Sequence, residues 1–509
     1  MPSFLIYTLG CKVNQYESEY VREGLERLGF REASAGEKPD LCVINTCTVT
    51  SESDLKSRKI IRCLARQHPE ARIIVMGCYA VRSPKELADL PGVAQVLSDK
   101  AQLPEWLRQL GLAEPPKGIS SFGRRHRAFV KVQDGCRQGC SYCIIPLVRP
   151  VLRSRPQEEV LEEIHRLVAA GYGEIVLTGV HLGQYGVDLP TPRQSLAPLI
   201  EKILEVSGKF RVRLSSIEAV EVGPELLRLM AEYPDRLCPH LHLPLQSGSD
   251  RVLEQMGRPY RLADFLRLCD QIRAYLDNPA LTTDVLVGFP GETEEDFQAT
   301  RRAVEQVGFC KLHVFPFSPR PGTPAAQLPN RIPPPIVRRR CTELAELGDR
   351  LRRRYLESLL GRKAQVLLEE VLGPAREGEG GPFNEHGSAR PDTSHDGRGG
   401  IRRWPCSTDA ASEQIPSAVN LRLVHQNNDP SFSEPCRGGE SVAWQAKDTS
   451  LYVLQGTSER YATVLLVGPR SWLGGLISVP VEKSGQNRDE WVLWAASAND
   501  LRSSQEPAL

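Results

Sequence analysis

The chain has 509 residues, room for about three domains at roughly 150 residues each. Its 64 lysines and arginines balance 63 aspartates and glutamates, so a net charge of +1 excludes a globally basic nucleic-acid binder and leaves RNA contact to local patches. The 14 cysteines are spread along the whole chain, which excludes a small disulfide scaffold and fits metal ligation in a reducing compartment.

The opening stretch, Met1-Pro-Ser-Phe-Leu-Ile-Tyr-Thr-Leu-Gly10, has no basic region and too short an apolar run for a signal peptide. No stretch approaches the ~20 apolar residues of a membrane span. The expectation is a cytoplasmic protein without a membrane partner. Residues 1–112 alternate strand and helix. Phe4-Leu-Ile-Tyr7, Leu41-Cys-Val-Ile44 and Arg72-Ile-Ile-Val-Met76 read as strands, with helices over 17–28 and 52–67, which predicts a small parallel α/β domain. Cys11, Cys47 and Cys78 each follow the C-terminal end of one of these strands. Those ends share one edge of a parallel sheet, where ligands bind, so three thiols from separate loops converge into a candidate metal site. The alternative is three incidental buried thiols. Cys42 lies roughly 16 Å from Cys47 at ~3.3 Å per residue and, like Cys63, reads as a core residue.

Residues 113–121, with Pro115-Pro116 and Gly118, read as a linker. Residues 122–335 repeat the strand–helix unit. Strands are expected over 128–132, 174–177, 211–214, 241–243, 281–287 and 311–315, and helices over 157–170, 196–206, 224–230, 262–275 and 294–307. Six repeats predict an incomplete (β/α)6 barrel of the TIM type, active at its strand C-terminal ends. The first of these strands runs into Asp134-Gly-Cys-Arg-Gln-Gly-Cys-Ser-Tyr-Cys-Ile-Ile-Pro146. Cys136, Cys140 and Cys143 there have the spacing C-x3-C-x2-C. Three thiolates hold three corners of an iron–sulfur cube and leave one iron open for a substrate. Structural zinc wants four closed ligands, and no fourth Cys or His stands at ribbon or finger spacing. Candidate ligand loops follow the other strands: Thr178-Gly179, Ser215-Ser-Ile-Glu218, Pro244-Leu-Gln-Ser-Gly-Ser249, Gly288-Phe-Pro-Gly-Glu292 and Ser318-Pro-Arg-Pro-Gly322. Glycine there lets backbone approach a ligand. Glu218 suits an amine or a ribose hydroxyl, or is simply a solvated carboxylate.

Residues 336–482 begin with a basic helix. Its clusters, Arg338-Arg-Arg340 and Arg350 with Arg352-Arg-Arg354, either track phosphates or form a solvated face. A strand over 364–371 precedes a stretch, 373–449, rich in Gly, Ser, Pro and charge, read as a disordered insert. Cys406 and Cys436 lie in it without an assigned role. Strands over 451–454, 462–467, 476–481 and 491–494 predict a small antiparallel β-barrel split by the insert. Residues 483–509 are read as a final strand and a tail, disordered from Asn499.

Taken together, the two cysteine trios, the barrel and the small β-barrel resemble the radical S-adenosylmethionine (radical-SAM) methylthiotransferases. The resemblance rests on Thr8-Leu-Gly-Cys-Lys-Val-Asn-Gln-Tyr-Glu-Ser18, Asn45-Thr-Cys-Thr-Val-Thr50, Gly77-Cys-Tyr-Ala80, the triple-cysteine loop, Leu243-Pro-Leu-Gln-Ser-Gly-Ser249, Thr283-Asp-Val-Leu-Val-Gly-Phe-Pro-Gly-Glu-Thr293 and Phe315-Pro-Phe-Ser-Pro-Arg-Pro-Gly-Thr-Pro324. Gly456-Thr-Ser-Glu-Arg-Tyr461 resembles the signature of the RNA-binding TRAM domain. The first motif and Arg213-Leu-Ser-Ser-Ile-Glu218 are most similar to the branch acting on N6-threonylcarbamoyladenosine of tRNA. Arg149-Pro150 departs from the family's usual Arg-Gly, and the insert splits the TRAM-like barrel.

The resemblance implies two 4Fe-4S clusters and S-adenosylmethionine. Cys136, Cys140 and Cys143 would hold the cluster whose open iron binds S-adenosylmethionine and cleaves it to a 5′-deoxyadenosyl radical. Cys11, Cys47 and Cys78 would hold a second cluster that carries the inserted sulfur. Tyr142, Gly179 and Glu218 are the expected cofactor contacts. The expected partners are the anticodon loop of tRNA, whose adenosine 37 must leave its stack, and an electron donor such as flavodoxin or ferredoxin. The competing readings are methylthiolation of N6-isopentenyladenosine or of a ribosomal-protein side chain, and a non-enzymatic iron–sulfur RNA-binding protein.

Overall fold

The computed structural model describes residues 1–123, 125–190, 195–374, 451–487 and 490–495. The expected insert therefore lies almost wholly outside the described residues, as do Cys406, Cys436 and the tail.

The N-terminal domain comprises β1 (Ser3–Thr8), α1 (Lys12–Arg27), β2 (Arg31–Glu32), β3 (Leu41–Thr46), α2 (Ser51–Gln67), β4 (Arg72–Gly77), α3 (Cys78–Arg82), α4 (Pro84–Ala88), β5 (Val93–Val96) and α5 (Leu103–Gln109). Its five strands pair in parallel in the order β2-β1-β3-β4-β5. Every residue of β3 is buried, as a central strand covered on both faces requires. Cys42 and Cys63 are core residues. Helix α1 starts at Lys12, five residues before the expected 17. Three of the four residues in its first turn, Lys12-Val-Asn-Gln15, are polar, and Asn14 faces Cys11 and Cys78, so hydrophobic periodicity does not mark it.

The second domain comprises β6 (Arg127–Asp134), α6 (Ile145–Val148), β7 (Arg153–Ser154), α7 (Gln157–Ala169), β8 (Glu174–Gly179), α8 (Leu196–Glu205), β9 (Arg211–Leu214), α9 (Pro224–Glu232), β10 (His240–His242), α10 (Asp250–Gln255), α11 (Leu262–Tyr275), β11 (Ala280–Val287), α12 (Glu294–Val307), β12 (Lys311–Pro316) and α13 (Pro334–Glu357). Strands β6, β8 and β9 form one parallel ladder, edged by the short antiparallel β7, and β10, β11 and β12 form another. The isolated bridges Val212–Leu237 and Ser216–His242 link them, so six parallel strands run in chain order around an incomplete barrel. Thr293 and Asp296 cap each other's backbone at the start of α12, and Gly308 ends that helix in the left-handed conformation.

The third unit is a closed barrel of β13 (Lys363–Pro374), β14 (Leu451–Ser458), β15 (Thr463–Pro469), β16 (Leu476–Asn487) and β17 (Glu490–Ala495). It is antiparallel except where β15 meets β17. The division expected at 482/483 falls inside β16, and β17 closes the barrel instead of starting a separate segment. The polar residues Lys483–Asn487, beyond the expected end of the strand at 481, pair through their backbone with β17.

This barrel seals the floor of the larger one. Arg213, buried and bonded to Glu174, donates to the carbonyls of Ser458 (2.8 Å) and Glu459 (3.1 Å), and Arg211 donates to that of Thr457 (2.8 Å). Tyr461, at φ 58°, stacks on His240 with ring centroids 4.6 Å apart. The Gly456–Tyr461 stretch, which resembles the TRAM signature, thus lies at the junction. Gly456 is obligatory there, since a Cβ would stand 2.3 Å from the Leu367 carbonyl. The basic helix is partly structural too. Arg340 is buried against Glu292 (2.7 Å), and Arg352 donates to the Tyr461 carbonyl at 3.3 Å. Arg338, Arg350 and Arg354 remain exposed.

Candidate active site

The loop after β6 makes a tight reversal at Gly135 (φ +83°), where any Cβ would collide with the Val151 carbonyl at 2.0 Å. Gln133 fixes the turn by donating to the carbonyls of Asp134 (2.9 Å) and Gly135 (2.7 Å). Cys136, Cys140 and Cys143 follow, Cys140 buried and the other two partly exposed. The backbone N–H of Gln138 donates to Cys136 Sγ at 3.4 Å, and the Arg258 guanidinium reaches Cys140 Sγ at 3.4 Å. His181 lies with Nδ1 3.3 Å from Cys136 Sγ and Nε2 2.7 Å from Glu221. Burial pulls its pKa down, but Cys136 and Glu221 outweigh that and lift it to about 10. Burial pushes the Cys143 thiol up to about 12, with the neighbouring Cys140 and Cys136 adding to the rise.

The expected cofactor contacts gather around this loop. Glu218 pairs with the same Arg258 that reaches Cys140. Gly179 lies so close to Gln133 that a Cβ would come within 3.0 Å of its side-chain oxygen. Tyr142 packs among Val252, Met256 and Phe289, more a support for the loop than a group facing its mouth. Of the expected ligand loops, Ser318–Gly322 serves otherwise. Arg320 is buried there and donates to Asp54 (2.5 Å) and Thr48 (2.9 Å), tying the N-terminal domain down.

Cys11, Cys47 and Cys78 come from the ends of the adjacent strands β1, β3 and β4. Asn14 Oδ1 is 3.9 Å from both Cys11 Sγ and Cys78 Sγ, while its amide donates to the Leu9 and Thr46 carbonyls at 2.8 and 3.1 Å. At Gly10 (φ +103°) a Cβ would stand 3.0 Å from that of Cys47. Cys78 accepts from Lys100 (3.2 Å) and Arg149 (3.5 Å). Burial raises its pKa, but Arg149 and Lys100 prevail and bring it below the ordinary thiol value.

Arg149 spans the two trios. Its carbonyl accepts from the Cys136 N–H at 3.0 Å while its guanidinium contacts Cys78, Asn14 (2.9 Å), Glu17 (2.9 and 3.0 Å) and Asp134 (2.6 Å). Lys131 bonds both Glu17 (3.3 Å) and Asp134 (3.1 Å). Sequence reading missed Arg149's role, and those of His181 and Arg258, because these contacts join residues 71, 45 and 118 positions apart.

The donor sets fit iron–sulfur clusters better than single ions. Tetrahedral zinc with bonds of ~2.3 Å would draw its sulfurs to about 3.8 Å apart. Among the described residues, the triple whose ligand atoms all lie within 4.8 Å of one another is His242, Asp284 and His313, and neither cysteine trio is so tight. Each trio also carries N–H donors and cations at its thiols, the surroundings that suit an anionic cluster.

Residues 130–304 match the model of the Radical SAM superfamily, and residues 3–98 that of an uncharacterized protein family, UPF0004. The chain is 41% identical to the threonylcarbamoyladenosine tRNA methylthiotransferase MtaB of Thermotoga maritima, over 72% of this chain and 87% of that protein. It is 38% identical to the protein of the same name in Bacillus subtilis, over 74% and 87%. To the tRNA-2-methylthio-N(6)-dimethylallyladenosine synthase of Corynebacterium urealyticum it is 36% identical, over 73% of both. A solved radical S-adenosylmethionine methyltransferase, TsrM from Kitasatospora setae, is similar with TM-score 0.48 and 17% identity, covering 64% of this chain and 75% of that one. No helix among the described residues is long and apolar enough to cross a membrane. With two domain matches and relatives of this identity over most of its length, the chain belongs to the radical-SAM tRNA methylthiotransferases, enzymes that use a 4Fe-4S cluster and S-adenosylmethionine.

Proposed function

We propose that this enzyme methylthiolates C2 of N6-threonylcarbamoyladenosine at position 37 of tRNA, in the cytoplasm. The observation that carries this reading is the convergence of two thiol trios, bridged by Arg149, on the open end of a barrel whose other end is sealed. Relatives named for this nucleoside run from 34% to 41% identity, and those named for the dimethylallyl nucleoside from 34% to 36%. Cys136, Cys140 and Cys143 are assigned to the cluster that binds S-adenosylmethionine, with Gly179 and Glu218 beside it and Tyr142 supporting its loop. Cys11, Cys47 and Cys78 are assigned to a second 4Fe-4S cluster. When bound, these groups supply radical hydrogen abstraction and sulfur transfer, which no side-chain acid or base can perform at an aromatic carbon. The chain's residues hold the two sites in fixed register, donate to their sulfurs and cover the far end with the small barrel. The electron donor is assigned to the flavodoxin or ferredoxin class. The exposed Arg338, Arg350 and Arg354 offer phosphate contacts outside the mouth.

Mass spectrometry of tRNA nucleosides from cells with and without the gene tests this. Loss of 2-methylthio-N6-threonylcarbamoyladenosine with build-up of its precursor is expected. A change in the isopentenyl nucleoside instead would move the substrate, and unchanged tRNA would direct attention to a ribosomal protein.

A further inference from the structure

On three neighbouring barrel strands, within electrostatic reach of Lys12, is a polar group that neither trio uses. His242, Asp284 and His313 stand side by side on β10, β11 and β12, half-exposed, their ligand atoms within 4.8 Å of one another. His242 Nε2 lies 3.3 Å from Asp284, and its Nδ1 lies 2.9 Å from the Thr282 hydroxyl. The ammonium of Lys12 is near enough to act electrostatically on Asp284, His313, His240 and Tyr461. Lys12 has no hydrogen bond or ion pair among the described residues. It is the first residue of α1, whose N-terminus has no side-chain cap and no acid in its first turn. Lys12 thus adds its own charge to the positive end of the α1 helix dipole. Lys311 stands 5.4 Å from the Tyr461 ring centroid.

Two histidines and an aspartate are also a possible ligand set for a divalent cation. The charges here decide against it. The single carboxylate is already engaged by His242, and a cation placed there would share its surroundings with Lys12, Lys311 and a helix N-terminus. Asp284 is the one carboxylate of this wall, set against Lys12 and Lys311, so positive charge is in excess. On the reading of the substrate given above, the nucleoside brings an anion. The N6-threonylcarbamoyl group ends in a carboxylate, whereas an isopentenyl group is wholly apolar.

We propose that Lys12, at the uncapped N-terminus of α1 and opposite the His242–Asp284–His313 wall, binds the carboxylate of the N6 substituent and selects this nucleoside over those with neutral substituents. The inference rests on the proposed substrate. The threonyl carboxylate and the carboxylate of S-adenosylmethionine are chemically alike, so the test must separate them.

The reconstituted holoenzyme is assayed on anticodon stem-loop RNA carrying N6-threonylcarbamoyladenosine or its uncharged primary amide. Wild type should prefer the acid in kcat/KM by about 10- to 100-fold, the range of a charge-assisted hydrogen bond. Lys12→Met should bring that ratio close to one, and Lys12→Arg should keep most of it. Equal loss on both RNAs in Lys12→Met overturns the inference, as does a raised KM for S-adenosylmethionine with the acid–amide ratio intact, which would give Lys12 to the cofactor. Equal wild-type rates on acid and amide overturn it too. Wild-type inactivity on the acid RNA refutes the substrate reading itself, and this inference with it.

Discussion

Arg149 has its guanidinium wholly inside the protein, and what makes that tolerable is Glu17 and Asp134. Burial alone would raise the Glu17 pKa. Arg149, Lys100 and Lys131 overcome that and take it down to about 2. A carboxylate depressed in the folded state stabilises fully above its unfolded pKa, near 4.5, and the stabilisation is lost as pH falls through about 2. Urea unfolding followed between pH 6 and pH 2 should therefore show a steep loss across that window. Glu17→Gln should be less stable at neutral pH and should flatten the slope. A variant profile parallel to that of wild type would show that Glu17 is not the group responsible. With Pro150 beside it, Arg149 contacts Cys78, Asn14, Glu17 and Asp134.

Strands β13 and β14 are a hairpin with the expected insert at its tip. Pro374 and Tyr452 are partners in the ladder, so the chain leaves and re-enters the barrel at neighbouring points. Replacing residues 375–450 with a short Asn-Gly turn should leave the melting temperature within a few degrees of wild type or raise it, since a two-residue turn suits an antiparallel pair. A melting temperature lowered by ten degrees or more would show that the insert contributes to the fold. Elements were legible in sequence wherever burial imposed a pattern. All six barrel strands and the apolar β3 were readable to within a residue or two. The first turn of α1 and the second half of β16 were not, because their residues answer to a site and to backbone pairing, and neither leaves a hydrophobic period. The cysteines were legible because strand ends in a parallel sheet share an edge. The cations around them were not, since tertiary contact alone brings them there.

On the scale of the whole molecule, three units are joined through buried arginines. The N-terminal domain is latched over the mouth through Arg320 and Asp54 and through Arg149 and Glu17, and the small barrel plugs the opposite end with Tyr461. How the units dock was not legible in one dimension, because the buried arginines that join them look there like a charged surface. A vessel stoppered at the bottom imposes a queue. Whatever goes in first is trapped behind whatever follows. The expected order is S-adenosylmethionine first and RNA second. Isotope trapping would reveal this order. Labelled S-adenosylmethionine, bound first and then chased with excess unlabelled compound together with saturating tRNA, should be carried into product instead of washed out. Free exchange of the label under saturating tRNA would mean a second exit.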